Sequence, residues 1–446
     1  MMSSSVERVD VRQALAPAGR RAAASSLGQT SGVSPRIVAA TVAGNALEFY
    51  DFVTYAFFAV YIGKAFFPAS TPFGSLLLSV AVFGVGFVSR PIGGVLIGAF
   101  ADRVGRKPAM LLTIGLITVG TLGLALTPSY ASIGLAAPVI VVVARLVQGL
   151  ALGGEVGPST AFLIESAPQR RRGLYASWQF ASQGAATLVA GALGVSLIAL
   201  LSPQDLQAWG WRVPFAAGLL LLPVAFYLRR TMPETLHVAP HQDRQAGLPG
   251  LARHRGIIVL ATLVVAGGTV SNYVGSYMTT YAITTLKFAP GIAMGATVMV
   301  GIVTLVFSLI GGLLADRFGR KPVMLWPRVG SAVLTVPAFV LLIAYPTLPV
   351  LMGVTGFLAA LTALSGAVSI VAIPELLPRG IRATGLSIAY AIGVSLFGGT
   401  TQFIVTWLIE RTANPLAPAW YVAGTSIVAV LAMLALPETG SRPLED

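Results

Sequence analysis

Along the chain, long apolar stretches alternate with short connections rich in glycine, proline or charge. Crossing the hydrocarbon core of a bilayer takes about 20 mostly apolar residues in a helix. Stretches of that kind begin near Ile37, Phe73, Met110, Ala136, Leu174 and Trp211, and again near Gly256, Gly291, Val323, Leu348, Ala383 and Trp420. The pattern predicts an all-α integral membrane protein with about twelve transmembrane helices. One connection is long and polar, roughly Arg229 to Arg255, and it divides the chain into two halves of about six spans. The expected organisation is a tail over 1–35, bundles over 36–230 and 256–440, a linker over 231–255 and a short end over 441–446. The tail is rich in Ser, Ala and Arg and has no signal-peptide core, which predicts a disordered cytoplasmic segment.

Of 446 residues, 55% are hydrophobic and 10% charged, whereas a soluble domain has about 25% charged residues to wet its surface. A soluble globular domain and a disordered protein are both excluded. Cysteine is absent, and the three histidines, His237, His241 and His254, fall in the polar middle connection. That leaves no disulfide, thiolate or cysteine nucleophile, and neither a metal nor an organic cofactor is expected.

The net charge of +13 raises the question of nucleic acid, and the placement of the charge answers it. Arginine and lysine crowd the tail, the middle connection and the connections after even-numbered spans, among them Arg103, Arg106, Lys107, Arg170, Arg171, Arg172, Arg317, Arg320, Lys321, Arg379 and Arg382. The opposite connections carry only Lys64, Arg212, Lys287 and Arg411. Positive loops stay on the cytoplasmic side. Both termini are therefore expected in the cytoplasm, in a plasma (inner) membrane, with a lipid bilayer and not nucleic acid as the surrounding partner.

One segment recurs. Gly98–Pro108 reads Gly-Ala-Phe-Ala-Asp-Arg-Val-Gly-Arg-Lys-Pro after the second span, and Gly312–Pro322 reads Gly-Leu-Leu-Ala-Asp-Arg-Phe-Gly-Arg-Lys-Pro after the eighth. Weaker echoes pair Glu165 and Pro168 with Glu375 and Pro378, and Pro233-Glu234-Thr235 with Pro437-Glu438-Thr439. Each recurs at the same place in its half, so the halves are parallel repeats, suited to rocking about a midplane site. The doubled Gly-x-x-x-Asp-Arg-x-Gly-Arg-Lys resembles the signature of the major facilitator superfamily, over essentially every span. The resemblance implies two pseudo-symmetric six-helix bundles and alternating access. It also implies a cytoplasmic gate in which Asp102 and Asp316 are latch acids and Arg106 and Arg320 their basic partners. Glu165 and Glu375 would meet arginines across the closed face. The alternative is that these charges only fix loops and topology.

Ionisable residues inside spans cost about 2.5–3.5 kcal/mol each on insertion scales, so each is a candidate for function. In the first span, Gly44, Glu48, Asp51 and Tyr55 fall within about 60° of one another on a helix, which sets two carboxylates on one stripe. Either could carry a proton, or one could neutralise a nearby arginine. In the fourth span, Arg145, Gln148 and Glu155 share a side, but about 15 Å of helix separates Arg145 from Glu155. A first-span carboxylate is the preferred partner of Arg145. Arg90 in the second span and Arg328 in the ninth could bind an anion, and Arg328 could equally snorkel to the surface. The polar faces of the fifth span (Gln179, Ser182, Gln183) and the seventh (Asn272, Tyr273, Ser276, Tyr277) suit a solute site as well as helix packing.

Gly44-Asn45-x-x-Glu48-x-x-Asp51, Arg90-Pro91-Ile92-Gly93 and Arg145-Leu146-x-Gln148-Gly149 with Gly153-Gly154-Glu155 resemble the metabolite:proton symporter family. Ser177-Trp178-Gln179-x-x-Ser182-Gln183 and Tyr277-Met278-Thr279-Thr280-Tyr281 are most similar to its citrate and tricarballylate branch. The resemblance implies symport of an organic anion such as citrate or another tri- or dicarboxylate, with the proton as coupling ion. Glu48, Asp51, Arg145 and Glu155 then occupy proton-coupling and substrate positions. Arg90, Gln148, Gln179, Gln183, Asn272, Tyr273, Tyr277 and Arg328 complete the candidate site.

Other members take proline, betaine or shikimate, and a non-transporting sensor would add a signalling domain larger than this tail. A monomer is expected. No nucleophile or metal stands beside Glu48 and Asp51, so an enzyme is rejected. Replacing Asp102 by Asn is expected to abolish uptake while leaving membrane insertion intact; normal uptake by Asp102→Asn would show that the residue is no latch.

Overall fold

The computed structural model describes residues 35–69, 72–104, 106–153, 156–231 and 248–440, and these are helical with no strand among them. In the first half the spans are Pro35–Phe57 continued by Ala59–Phe66, Pro72–Val88 with Arg90–Val104, Arg106–Leu126, Ala136–Gly153 with Val156–Ser166, Arg172–Leu200 and Val213–Thr231. In the second half they are Arg255–Thr284, Pro290–Phe318, Arg320–Ala344, Leu348–Glu375, Arg379–Gly393 continuing through a π turn (Val394–Gly398) into Gly399–Thr412, and Ala417–Ala435. Nine described helices are long and apolar enough to cross a membrane, and Leu111–Leu126 and Gly210–Val224 are shorter apolar ones. The first span, diluted by Asn45, Glu48 and Asp51, completes the expected set. Large apolar side chains such as Leu96, Val119, Leu220, Leu313 and Leu431 face outward, as contact with lipid tails requires.

The second span is interrupted near its middle, and the interruption has a local cause. Pro91 lacks an N–H and disfavours helical geometry at Arg90. Ser89, just before it, donates to Gly86 O (3.1 Å) and Leu146 O (2.8 Å), which ties the second span to the fourth. Irregular backbone at membrane depth is tolerated where it is buried in protein or lines a cavity, and Ser89 and Arg90 at this break are buried.

The halves touch most closely along the fifth and eighth spans. A Cβ on Gly184 would lie 2.3 Å from Leu305 N, and one on Gly301 would lie 2.3 Å from Leu188 N. Only glycine permits that approach of two backbones. At the arginine-rich end, Ile164 and Ala176 of the first half pack on Val371 of the second, and Phe180 packs on Ala367 and Ile370. These contacts close that end.

Polar contacts complete the closure. The Asp316 carboxylate accepts the backbone N–H groups of Gly173 (2.8 Å) and Leu174 (2.9 Å) at the start of the fifth span, and Arg320 Nη1 at 2.9 Å. Arg320 also reaches Glu375 with Nε and Nη2, both at 3.2 Å. Thr439 Oγ1 donates to the same carboxylate at 2.8 Å. Of the expected gate, Asp316, Arg320 and Glu375 are therefore brought together. The side chains of Asp102, Arg106 and Glu165 lie outside the described residues.

The repeated Pro-Glu-Thr echo has a structural use here. Glu438 accepts the backbone N–H groups of Arg320 (2.7 Å) and Lys321 (2.9 Å), the first residues of the ninth span, and those of Thr439 (2.9 Å) and Gly440 (2.8 Å). An anion at a helix N-terminus is favoured by its free N–H groups and dipole. Burial pushes the Glu438 carboxyl up, but the four backbone donors outweigh it and hold the group below the usual carboxylate range. Its contribution is thus present above the ordinary carboxylate pKa and lost as pH falls through the lowered one. Glu438→Gln is expected to cost about 1 kcal/mol at pH 7, as loss of a helix cap does, with the difference in thermal unfolding from the native protein shrinking in acid. Equal melting at pH 7 would contradict this role.

Candidate functional site

The first-span stripe faces the fourth span. Asp51 is buried, and Gln148 Nε2 donates to its Oδ2 and to Thr121 Oγ1, the latter at 3.1 Å. Gln148 Oε1 in turn accepts from Arg145 Nη1 at 2.8 Å. Arg145 thus reaches a first-span carboxylate through an intervening amide and not by direct pairing. Asp51 Oδ1, Arg145 Nε and Arg145 Nη2 are buried without a hydrogen-bond partner among the described residues. The relay therefore has an open acceptor at one end and open donors at the other.

Aromatic rings supply what ion pairing does not. The Arg90 guanidinium lies 3.8 Å from the Phe87 ring centroid and 5.1 Å from that of Phe52. That of Arg145 lies 4.1 Å from Tyr55 and 5.4 Å from Phe83. Tyr273 of the other half meets the same cluster edge-on, 5.5 Å from Phe52 and 5.6 Å from Phe87. Desolvated cation–π contacts are worth about 2 kcal/mol, so the rings offset part of the burial. Gly398 of the π turn makes room, since a Cβ there would lie 2.7 Å from the Tyr273 ring and 2.8 Å from that of Phe87. The sequence reading did not single out Phe52, Phe83 or Phe87. Their one signal is the four-residue spacing of Phe83 and Phe87 just ahead of Arg90.

Beside this cluster, a cavity lies between the halves, lined by Phe49, Gln183, Asn272, Tyr273, Arg328 and Tyr390 among others. A second, smaller one shares Phe49, Gln183, Asn272 and Tyr273 with it. Arg328 is 0% exposed. Its Nη1 donates to Gly267 O (3.1 Å) and Ser271 Oγ (2.9 Å), while Nε and Nη2 have no partner among the described residues. The side chain therefore points into the protein and does not snorkel. The acids of the second bundle, Asp316, Glu375, Glu410 and Glu438, stand near helix ends, so no acid within its own bundle's interior neutralises it.

Two candidates stand apart from the cavities. Gln179 Nε2 donates to Ser159 Oγ at 3.3 Å, and Gln179 O accepts from Asn45 Nδ2 at 2.8 Å. Tyr277 OH accepts from Thr406 Oγ1 at 2.9 Å inside the second half. Both join helices. Glu155 and the Glu48 side chain lie outside the described residues. Among the described residues, no group of three or more His, Cys, Asp or Glu could hold a metal ion.

Comparison with known proteins places this geometry. The family described as Sugar (and other) transporter matches residues 37–247 and 242–446. The chain is 36% identical over 394 residues to a citrate-proton symporter of Klebsiella pneumoniae, spanning 87% of this chain and 88% of that protein. It is 34% identical over 403 residues to the alpha-ketoglutarate permease of Escherichia coli (strain K12), spanning 89% and 92%. Over 428 residues it is 33% identical to the glycine betaine/proline/ectoine/pipecolic acid transporter OusA of Dickeya dadantii (strain 3937), spanning 92% and 84%. Among solved structures, the proton:xylose symporter XylE bound to 6-bromo-6-deoxy-D-glucose matches with a TM-score of 0.80 at 21% identity, over 92% of this chain and 97% of that one, which shows a shared fold. The repeated loop, the paired bundles and these matches agree: the chain belongs to the major facilitator superfamily, within its family of sugar (and other) transporters, and is a multi-pass membrane transporter, not an enzyme.

Proposed function

We propose that the protein takes up an organic carboxylate, such as citrate or another tri- or dicarboxylate, together with protons, with its arginine-rich end in the cytoplasm. The observation that carries this reading is the charge imbalance at the interface. Arg90, Arg145 and Arg328 are buried there with Asp51, whereas the buried Glu375 carboxylate lies at the arginine-rich end against Arg320. An ion buried without a partner costs several kcal/mol. Carboxylates match guanidinium bidentately, so an organic anion removes that cost as it binds. The relatives named for citrate and alpha-ketoglutarate support the same class.

The relay suggests how two fluxes couple. A proton taken up at Asp51 Oδ1 cancels the negative charge that Arg145 faces through Gln148. The open N–H groups of Arg145 then hold a substrate carboxylate, while those of Arg328 hold another from the opposite half. A substrate bridging the halves favours their approach. Release to the cytoplasm needs the Asp316 contacts with Gly173 and Leu174 to open, two hydrogen bonds to a charged group worth about 1.5–3 kcal/mol each. The excess of Lys and Arg in the loops at that end supports the orientation.

Proteoliposomes with an imposed pH gradient test the reading. Citrate or 2-oxoglutarate is expected to accumulate and an uncoupler to abolish accumulation, with betaine left outside. Uptake indifferent to uncoupler would refute the coupling, and betaine uptake without citrate uptake would refute the substrate class. Arg328→Gln is expected to weaken citrate binding by about tenfold or more, the worth of a charge-assisted hydrogen bond. Asp51→Asn is expected to keep substrate exchange across the vesicle membrane but lose accumulation driven by the pH gradient. Full accumulation by Asp51→Asn would place the proton elsewhere.

A further inference from the structure

One cavity has no part in that mechanism. It lies wholly inside the second half, walled by the seventh, eighth, ninth, tenth and twelfth spans. It adjoins the interface cavities at Asn272, which lines all three. The Asn272 backbone carbonyl accepts from Ser276, and its side-chain amide bonds to no described residue. Ser271 joins the two regions as well: it lines this cavity, and its Oγ accepts from Arg328 Nη1.

The wall has a definite chemistry. No ionisable side chain lines it. Ser271, Ser331, Thr335 and Thr362 donate their hydroxyl protons to helix carbonyls four residues back, at 2.9, 3.1, 2.6 and 2.9 Å. Each therefore offers its remaining lone pairs as an acceptor. Thr355 differs: it is 2% exposed and its Oγ1 has no partner among the described residues, so its proton is available. Between these groups lie apolar side chains, including Met278, Phe339 and Leu358. An anion finds no counter-charge on such a wall, and an apolar ligand leaves Thr355 unsatisfied, at about 1–3 kcal/mol. A carbon skeleton bearing several hydroxyls meets every part of it, donors, acceptors and C–H surface alike.

We propose that this cavity is a subsite for the hydroxylated chain of a carboxylic acid, so that the protein takes polyhydroxylated acids as well as citrate. The acid end of such a molecule lies at the interface arginines, Arg328 among them, and its hydroxyl-bearing chain passes Asn272 into the second half. The inference rests on the carboxylate reading above and adds to it the hydroxylated chain. Citrate, which has no hydroxylated chain, is held on this reading by the interface arginines alone.

Gluconate and hexanoate make the matched pair, since they share six carbons and one carboxylate and differ in hydroxyls. Competition against labelled citrate on the purified full-length protein is expected to show gluconate binding about tenfold or more tighter than hexanoate, as more than one neutral hydrogen bond gives. Thr355→Val, isosteric and lacking the free hydroxyl, is expected to weaken gluconate about 3- to 10-fold and to leave citrate unchanged. Ala359→Phe, which fills the cavity, is expected to abolish gluconate binding with citrate again unchanged; if that variant fails to fold, Thr355→Val decides. Hexanoate binding as tightly as gluconate, or gluconate binding unaffected by Thr355→Val, would overturn the subsite. Failure of the native protein to bind citrate and gluconate alike would overturn the carboxylate reading itself.

Discussion

A guanidinium inside a bilayer must be given something to bond to, and much of this protein is organised around that need. Three buried arginines sit at or beside the interface of the halves, and none of them makes an ion pair with a described carboxylate. What they are given is weaker: the Gln148 amide and the rings of Tyr55 and Phe83 for Arg145, the Phe87 and Phe52 rings for Arg90, and the Gly267 carbonyl with the Ser271 hydroxyl for Arg328. Neutral dipoles and ring faces soften the desolvation of a cation without cancelling its charge. Arg145 and Arg328 therefore keep buried donors without a partner among the described residues, and an anion is a ligand suited to them.

The location of these charges links binding to movement. Arg90 and Arg145 belong to the first half, Arg328 to the second, and Tyr273 carries the second half onto the rings that hold the first two. A change of charge at Asp51 or the arrival of an anion is thus felt where the halves must slide. At the arginine-rich end the contacts differ in kind. Asp316 crosses between the halves onto two backbone N–H groups and Glu375 attracts Arg172 of the first half, whereas Glu438 and Arg320 hold the second half to itself. The second half is therefore stapled together at this end, and its hold on the first there is made of hydrogen bonds and charge attraction.

Much of this was legible in the sequence. Apolar run lengths marked the spans, the doubled loop marked the two halves, and the same repeat led to Asp316, Arg320 and Glu375. Helical spacing put Asp51 on the stripe that faces Arg145. Spacing could not show Gln148 standing between them, because a wheel gives the direction of a side chain and not its partner on a neighbouring helix. For the same reason Gln179 and Gln183, or Tyr273 and Tyr277, looked equivalent: one of each pair lines the cavity and the other joins helices. The fate of Arg328 was also undetermined, since it depends on acceptors at Gly267 and Ser271 brought up by another span. Phe52, Phe83 and Phe87 stayed hidden because aromatic residues in a membrane span are ordinary until a cation is found lying on them.

If the buried arginines hold the substrate, affinity must follow the number of carboxylates it carries. Titration calorimetry of the purified protein with tricarballylate, its monomethyl and dimethyl esters and its trimethyl ester measures this with the carbon skeleton held constant. Each lost charge is expected to weaken binding by about tenfold, the worth of one charge-assisted contact, until the triester no longer binds. A triester bound as tightly as the trianion would show that the arginines do not hold the substrate.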